Sequence, residues 1–324
     1  VAKILEHQVI EDERSKSQSE QLTWIQREAL IAAAGLILVG FDEAMEKRTG
    51  LRAAFPPAAE LEPVWARAAK RGLLMGRMGQ MLIREIARTE GASLAAALEG
   101  PGSNQLGTEA AKGVKIVADA AQAIGAAEAV IDFTVPAATV AHARVAADKG
   151  VAMVIGTTGL SPEQSAEIHA AAKKVPILWA ANMAVGVNVL LSLVEKTAAM
   201  LDPAYDIEVL EMHHRHKIDA PSGTALALGK AAAAGRKVEL EKVWRKSRDG
   251  HTGARPTGEI GFATLRGGEE VGVHTVFFAA AGERLELTHR SFSREGYAAG
   301  AVRGALWLKG KKPGLYGMKD VLGL

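Results

Sequence analysis

Residues 213–217 read His-His-Arg-His-Lys, and a Pro221-Ser222-Gly223-Thr224 turn follows soon after. Histidine takes up and releases protons near neutral pH, so this stretch can serve a reaction that moves a proton. In the preceding strand-like stretch YDIEVLEMHH (205–214) neighbouring side chains point to opposite faces. His213 and His214 therefore cannot face one ligand while the strand continues. A turn beginning at His213 lets His213, His214 and Lys217 converge. The turn at 221–224 then starts a helix, and the free amides and hydroxyls of Ser222, Gly223 and Thr224 can bind an anion such as a carboxylate. One group of side-chain donors and one of backbone donors suit a small dianion.

Three other uses of the cluster compete. A metal site on His214 and His216 lacks a nearby carboxylate or cysteine to complete a ligand set, so no metal is expected. A nucleic-acid patch wants more basic surface and stacking aromatics. A solvated basic loop before a helix is the third reading, and spacing alone leaves it open.

The elements around the cluster follow two patterns. From Arg77 onward, helix and strand alternate. Residues 78–89 have helical spacing, ASLAAAL (92–98) reads as a buried strand, and AEAVIDFT (127–134) as another, with Pro136 opening the next helix. VAMVIGTTG (151–159) gives a strand, a glycine-flanked turn and a helix from Ser161, and VPILWAAN (175–182) a further strand. This alternation implies a doubly wound parallel sheet with right-handed crossovers. After Gly186 a long helix (187–200) leads into 205–214, and 258–266, 271–280 and 283–292 follow as strands with short connections. Those predict a second α+β domain with a mixed, largely antiparallel sheet. The expected organisation is an extension over 1–71, a dinucleotide-binding domain over 72–183, a substrate-binding and oligomerisation domain over 184–290, and a C-terminal helix region over 291–324 that packs back on the first domain.

A dinucleotide-binding fold sets a glycine turn between its first strand and helix. Gly72, Gly76 and Gly79 stand where that turn belongs, and Gly76-Arg77-Met78-Gly79 leads into a good helix. Glu99 ends the next strand, about 20 residues on, where an acid binds ribose hydroxyls. An acid there favours NADH over NADPH, while Arg77 is a candidate partner for the extra phosphate of NADPH. The stretch before Gly72, PVWARAAKR, is no β-strand, and Gly72 lies out of register with Gly76. Residues 1–30 read as a charged helix, and 51–63 carry helix-breaking prolines.

Composition narrows the function classes. A chain of 324 residues with 48% hydrophobic residues can bury a sizeable core, and a net charge of +2 argues against a nucleic-acid or membrane-surface role. With no cysteine, disulfides, thiolate catalysis and thiolate-bound metals are excluded, which fits a cytoplasmic protein. The longest apolar run, 31–41, is too short to cross a bilayer.

EMHHRHKIDAPSGTAL, with VIGTTG, AANMAVGVN, DGHTGARPTGEIGFATLRGG and GERLELTHRSFSR, closely resembles the dihydrodipicolinate reductase family, over roughly 76–324. The resemblance implies that NAD(P)H delivers hydride to the ring of a cyclic dicarboxylate, giving tetrahydrodipicolinate on the diaminopimelate route to lysine. It implies His213 as proton donor and Lys217 as a second catalytic residue, with His214, Gly223 and Thr224 on the substrate. Gly156, Thr157 and Thr158 match one cofactor loop, Ala180, Ala181, Asn182 and Met183 another, with Asn182 and Met183 at a hinge between domains, and Arg294 a position near the cofactor. A homotetramer built through the second-domain sheets is implied as well. The chain departs from the family pattern in the missing first strand and first glycine. Residues 1–71 are accordingly expected to be the product of a shifted reading frame or misplaced start. The alternative function is a non-catalytic member that keeps the dicarboxylate pocket and has a defective cofactor site.

Overall fold

The computed structural model describes residues 77–324. The turn at Gly72 and Gly76 and the extension over 1–71 lie outside the described residues. Two compact units divide the chain, 77–176 with 312–314 and 177–311 with 315–324.

In the first unit, α1 (Arg77–Arg88) buries Leu82. The stretch 92–98 becomes a strand only at its end, β1 (Ala97–Leu98). Alanine and serine favour strand weakly, and only these two residues find a partner. That partner is β3 (Val114–Val117), which pairs parallel with β1 at Ala97↔Ile116. It pairs antiparallel with β2 (Glu109–Ala111) around Lys112-Gly113, where Gly113 has φ 79. After α2 (Ala120–Gly125), β4 (Ala129–Asp132) and β5 (Ala152–Ile155) pair parallel with Asp132 opposite Ile155. Between them runs α3 (Pro136–Lys149), with proline in its first turn as the sequence requires. A capping box at Ser161 starts α4 (Pro162–Ala172). Parallel strands joined by helices give the doubly wound arrangement that the alternation predicts.

The unit boundary falls at the first residue of β6 (Pro176–Trp179). The second unit holds α5 (Val185–Met200), β7 (Asp206–His213), α6 (Gly223–Gly235), α7 (Leu240–Val243), β8 (Trp244–Arg245), β9 (Ile260–Arg266), β10 (Gly272–Ala279), β11 (Arg284–Ser291), α8 (Glu295–Leu308) and α9 (Met318–Leu322). Its sheet has the order β11-β10-β7-β9-β8. β10 is antiparallel to β11 and β7, whereas β9 is parallel to β7 and β8, so the sheet is mixed as expected. Strict alternation along β7 sends Ile207, Val209, Glu211 and His213 inward. The two aliphatic ones join Leu190, Val194, Leu228, Phe262, Val276 and Phe278 in a core between the sheet and the helix pair α5 and α6. Glu211 and His213 continue that inward row beyond the apolar part. Among the described residues no helix is long and apolar enough to cross a membrane.

Candidate active site

The strand β7 ends at His213, and the chain turns at His214. The turn is held by backbone bonds from His214 to the Glu270 carbonyl (2.7 Å), from Lys217 to the His214 carbonyl (3.1 Å) and from Gly267 to the His213 carbonyl (3.0 Å). His213 stays on the buried face while His214 emerges half-buried. The two histidines therefore sit on different sides of the turn's start, and each is within electrostatic reach of the other. The His214 and His216 rings lie 6.1 Å apart, with His216 exposed.

Burial, followed by the charge of Arg294, lowers the pKa of His214. Neutral at physiological pH, its ring meets a ligand as a hydrogen-bonding group. Its Nδ1 is buried without a hydrogen-bond partner among the described residues. Arg294 itself is exposed, in the N-cap position of α8. The Lys217 ammonium donates to Asp219 Oδ1 at 2.6 Å. A substrate carboxylate that takes Lys217 must compete with that partner.

Ser222 caps α6: its hydroxyl accepts from the Ala225 amide at 3.1 Å and lies 2.9 Å from His274 Nε2, fully buried. The hydroxyl is thus occupied inside the protein. What the turn leaves for an anion are the Gly223 and Thr224 amides at the start of a 13-residue helix, and the Thr224 hydroxyl. That hydroxyl accepts from Asn182 Nδ2 at 3.2 Å and keeps its own hydrogen to donate.

Asn182 connects the turn to the loop 180–183. Its Oδ1 accepts from the Ala184 amide at 2.9 Å and its carbonyl from Asn188 Nδ2 at 2.9 Å. Ala180 and Ala181 are partly open, whereas Met183 is buried. The Met183 carbonyl lies against α8 so closely that a Cβ on Gly300 would come within 1.8 Å of its oxygen. Only glycine fits there.

Beneath these residues lies a polar cluster that the motif does not announce. Glu211, 1% exposed, accepts from His213, Arg266 and the Ser222 amide. Burial pushes its carboxyl up, but those hydrogen bonds outweigh burial and hold it down to about 2. Burial, then the neighbouring His213, holds His274 down to about 4. Sequence reasoning missed Glu211, Arg266 and His274. The available signal was phase: Glu211 and His274 occupy the apolar positions of alternating strands, where a charge needs a partner.

In the first unit, the loops after β4 and β5 carry the other predicted residues. Asp132, buried at the end of β4, accepts from the Thr134 amide and hydroxyl and from the hydroxyls of Thr139 and Thr157, while its second oxygen meets His142 Nδ1 at 2.7 Å. Thr157 is thereby fixed and buried, leaving Thr158 exposed. A Cβ on Gly156 would come within 2.0 Å of the Phe133 ring, so the two loops lie in direct contact. Glu99, directly after β1, is half-buried; burial raises its pKa against a hydrogen bond from the Gly100 amide. Met78, the second residue of α1, is half-buried. An acid and close-packed loops at the carboxyl ends of parallel strands fit a dinucleotide within this unit. Arg77 is the first residue of α1.

Comparison with known proteins agrees with both halves. Residues 74–183 match the family model described as dihydrodipicolinate reductase, N-terminus, and 186–322 the model described as dihydrodipicolinate reductase, C-terminus. The 4-hydroxy-tetrahydrodipicolinate reductase of Rhodopseudomonas palustris (strain TIE-1) is 51% identical over 256 residues, covering 77% of this chain and 94% of that one. The enzyme of that name from Beijerinckia indica subsp. indica is 50% identical over 273 residues, covering 82% and 98%. Among solved structures, a dipicolinate-bound dihydrodipicolinate reductase from Paenisporosarcina sp. TG-14 superposes with a TM-score of 0.64 at 25% identity, covering 76% of this chain and 96% of that one.

Proposed function

This chain belongs to the dihydrodipicolinate reductase family, and from that premise we infer how its own residues carry the reaction. It is an oxidoreductase that reduces 4-hydroxy-tetrahydrodipicolinate to tetrahydrodipicolinate in lysine biosynthesis, using a nicotinamide nucleotide. Loss of the ring hydroxyl as water leaves an unsaturated ring; the nucleotide, when bound, would supply a hydride to one of its atoms, and the neighbouring atom takes a proton. His213 is the group we assign to that proton, with Lys217 as its catalytic companion, because a carboxylate orients the His213 ring at the end of β7. This pairing is the observation that carries the assignment. The substrate carboxylates meet His214, the Gly223 and Thr224 amides and the Thr224 hydroxyl, with Ser222 shaping the turn.

For the nucleotide, we assign α1 with Gly76, Arg77 and Met78, the ribose acid Glu99, the loop Gly156-Thr157-Thr158, the segment Ala180-Ala181-Asn182-Met183, and Arg294. NADH is the preferred form, since a carboxylate at Glu99 accepts from free ribose hydroxyls and repels a phosphate. The first unit is then the nucleotide-binding domain and the second the substrate domain. A homotetramer through the second-unit sheet is supported by Leu210, Met212, Leu265, Val273 and Phe277, which alternate onto the sheet face opposite the core, Leu265 being 48% exposed. Neither the described residues nor the comparisons favour the non-catalytic alternative, and the turn at Gly72 and Gly76 on which it rests lies outside the described residues.

The test is a pair of titrations of the purified chain with NADH and NADPH, followed by nicotinamide fluorescence, then turnover of the cyclic substrate. Tighter NADH binding with turnover is the expected result. Binding of neither nucleotide by folded protein would refute the reading.

A further inference from the structure

Two histidines open the motif, but the structure ties only one of them to a carboxylate. Glu211 precedes His213 by two residues on the buried face of β7. Its Oε2 accepts from His213 Nδ1 at 2.5 Å and from Arg266 Nη1 at 2.8 Å. Its Oε1 accepts from Arg266 Nη2 at 3.0 Å, the Ser222 amide at 3.0 Å and the Thr264 hydroxyl at 3.4 Å.

Resting on the reductase reading above, we propose that Glu211 is the positioning residue of this site: it fixes hydrogen on His213 Nδ1, makes Nε2 the nitrogen that exchanges a proton with substrate, and binds the 222–224 anion turn to the same carboxylate. An ionised carboxylate only accepts, so the ring nitrogen that faces it must carry hydrogen. The remaining nitrogen is kept accessible from β10, because residue 272 is glycine; a Cβ there would lie 3.0 Å from His213 Nε2. The His274 ring meets His213 edge-on, with centroids 5.0 Å apart, and limits its rotation. Arg266 extends the arrangement by donating to the Asp219 carbonyl at 2.6 Å, in the residue whose side chain holds Lys217. One buried carboxylate therefore sets the proton donor, the anion turn and the base of the lysine arm.

A carboxylate serving only the fold would need Arg266 and the Ser222 amide, and the His213 tautomer would be indifferent to it. Nitrogen-15 NMR of the imidazole rings in the whole protein, with His213→Gln to assign the signal, reads that tautomer directly. Hydrogen on Nδ1 whenever the His213 ring is neutral is expected; hydrogen on Nε2 alone overturns the proposal, and no variant need fold for this outcome to count. The isosteric Glu211→Gln turns an amide NH2 toward Nδ1 and inverts the tautomer. Its kcat is expected to fall about 10²-fold, the scale of one general acid, with substrate KM within about three-fold. An unchanged kcat in folded Glu211→Gln also overturns the proposal. Failure of the reductase reading is separate: the unmodified chain would then not turn over substrate at all, whatever its His213 tautomer.

Discussion

Asp132 in the first unit and Glu211 in the second are buried carboxylates that each hold a histidine, and the two are partnered in different ways. Asp132 takes most of its hydrogen bonds from nearby in the chain, from Thr134 two residues on and Thr139 and His142 on the following helix, and one from Thr157, 25 residues on. Glu211 reaches across its sheet to the guanidinium of Arg266 and across to the start of α6. Asp132 ties Thr134 after β4 to Thr157 after β5, so it acts as a latch between two loops. Glu211 holds a ring whose other nitrogen borders a glycine. The same carboxylate–histidine pair thus serves loop fixation in one unit and ring orientation in the other, and the difference lies in what else the carboxylate holds, two loops in one case and a neighbouring strand with a helix start in the other.

The largest test of this contrast is Asp132→Ala. It strands the Thr134 amide and three hydroxyls that now donate to one oxygen. Removing one partner of a buried charged network costs about 3–5 kcal/mol. Urea unfolding should show that loss, and nucleotide titration should weaken ahead of any change in kcat, because Thr157 lies in the loop proposed above to bind the nucleotide. Should kcat fall first while the nucleotide Kd holds, the latch and the positioning carboxylate are not distinct in kind.

Acid unfolding separates the two regions by pH. His274 stands at about 4 in the folded protein against an ordinary value of 6.5, so below 6.5 the unfolded chain binds the extra proton and stability falls as the pH drops toward 4. Glu211, held at about 2 against 4.5, contributes stability that is complete above 4.5 and is lost between 4.5 and 2. Each shift corresponds to on the order of 3 kcal/mol by linkage. The Asp132 carboxyl is raised by burial but lowered further by its histidine and threonine partners, so it loses stability in the same acid direction, below its ordinary value. Unfolding free energy measured stepwise from pH 7 to pH 3 should therefore begin to decline above pH 5, and His274→Gln should reduce that early decline, to which His214 and His289, also held down by burial, contribute. A flat profile down to pH 5 would show that His274 is not held neutral.

These networks mark the limit of what the sequence discloses. In the second-unit sheet the two-residue β8 gives no readable pattern, whereas the four long strands were legible because their apolar phases are clean, and the ends of β9, β10 and β11 fall within a residue or two of expectation. The hairpin of β2 and β3 was not, since three- and four-residue strands offer too few positions for a period, and Lys112-Gly113 was its only local mark. The motif residues were visible by type, yet their division of labour was not. Ser222 and Thr157 look like ligand hydroxyls in the sequence, and each is occupied by a tertiary partner, His274 or Asp132, far away in the chain. Pairings of that kind depend on which strands become neighbours, which local periodicity does not encode.

The smallest effects come from the serines that cap a helix in each unit, and they sharpen the contrast from a different side. Ser222 caps α6 and also meets buried His274, so Ser222→Ala loses a cap worth ~1 kcal/mol and leaves a ring nitrogen unsatisfied at a further ~1–3 kcal/mol. Its substrate KM should rise, because the anion turn is released from the core. Ser161 caps α4 through the Gln164 amide at 3.2 Å, and its hydroxyl otherwise donates only to the Glu163 carboxylate at the surface. Ser161→Ala should therefore cost only the cap, about 1 kcal/mol, with kcat and KM unchanged. Chemical denaturation and steady-state kinetics on the two variants make the comparison direct. Equal stability losses would mean that the Ser222–His274 contact contributes nothing in solution, and the buried cluster around Glu211 would then end at the Ser222 backbone amide instead of continuing through the side chain to β10.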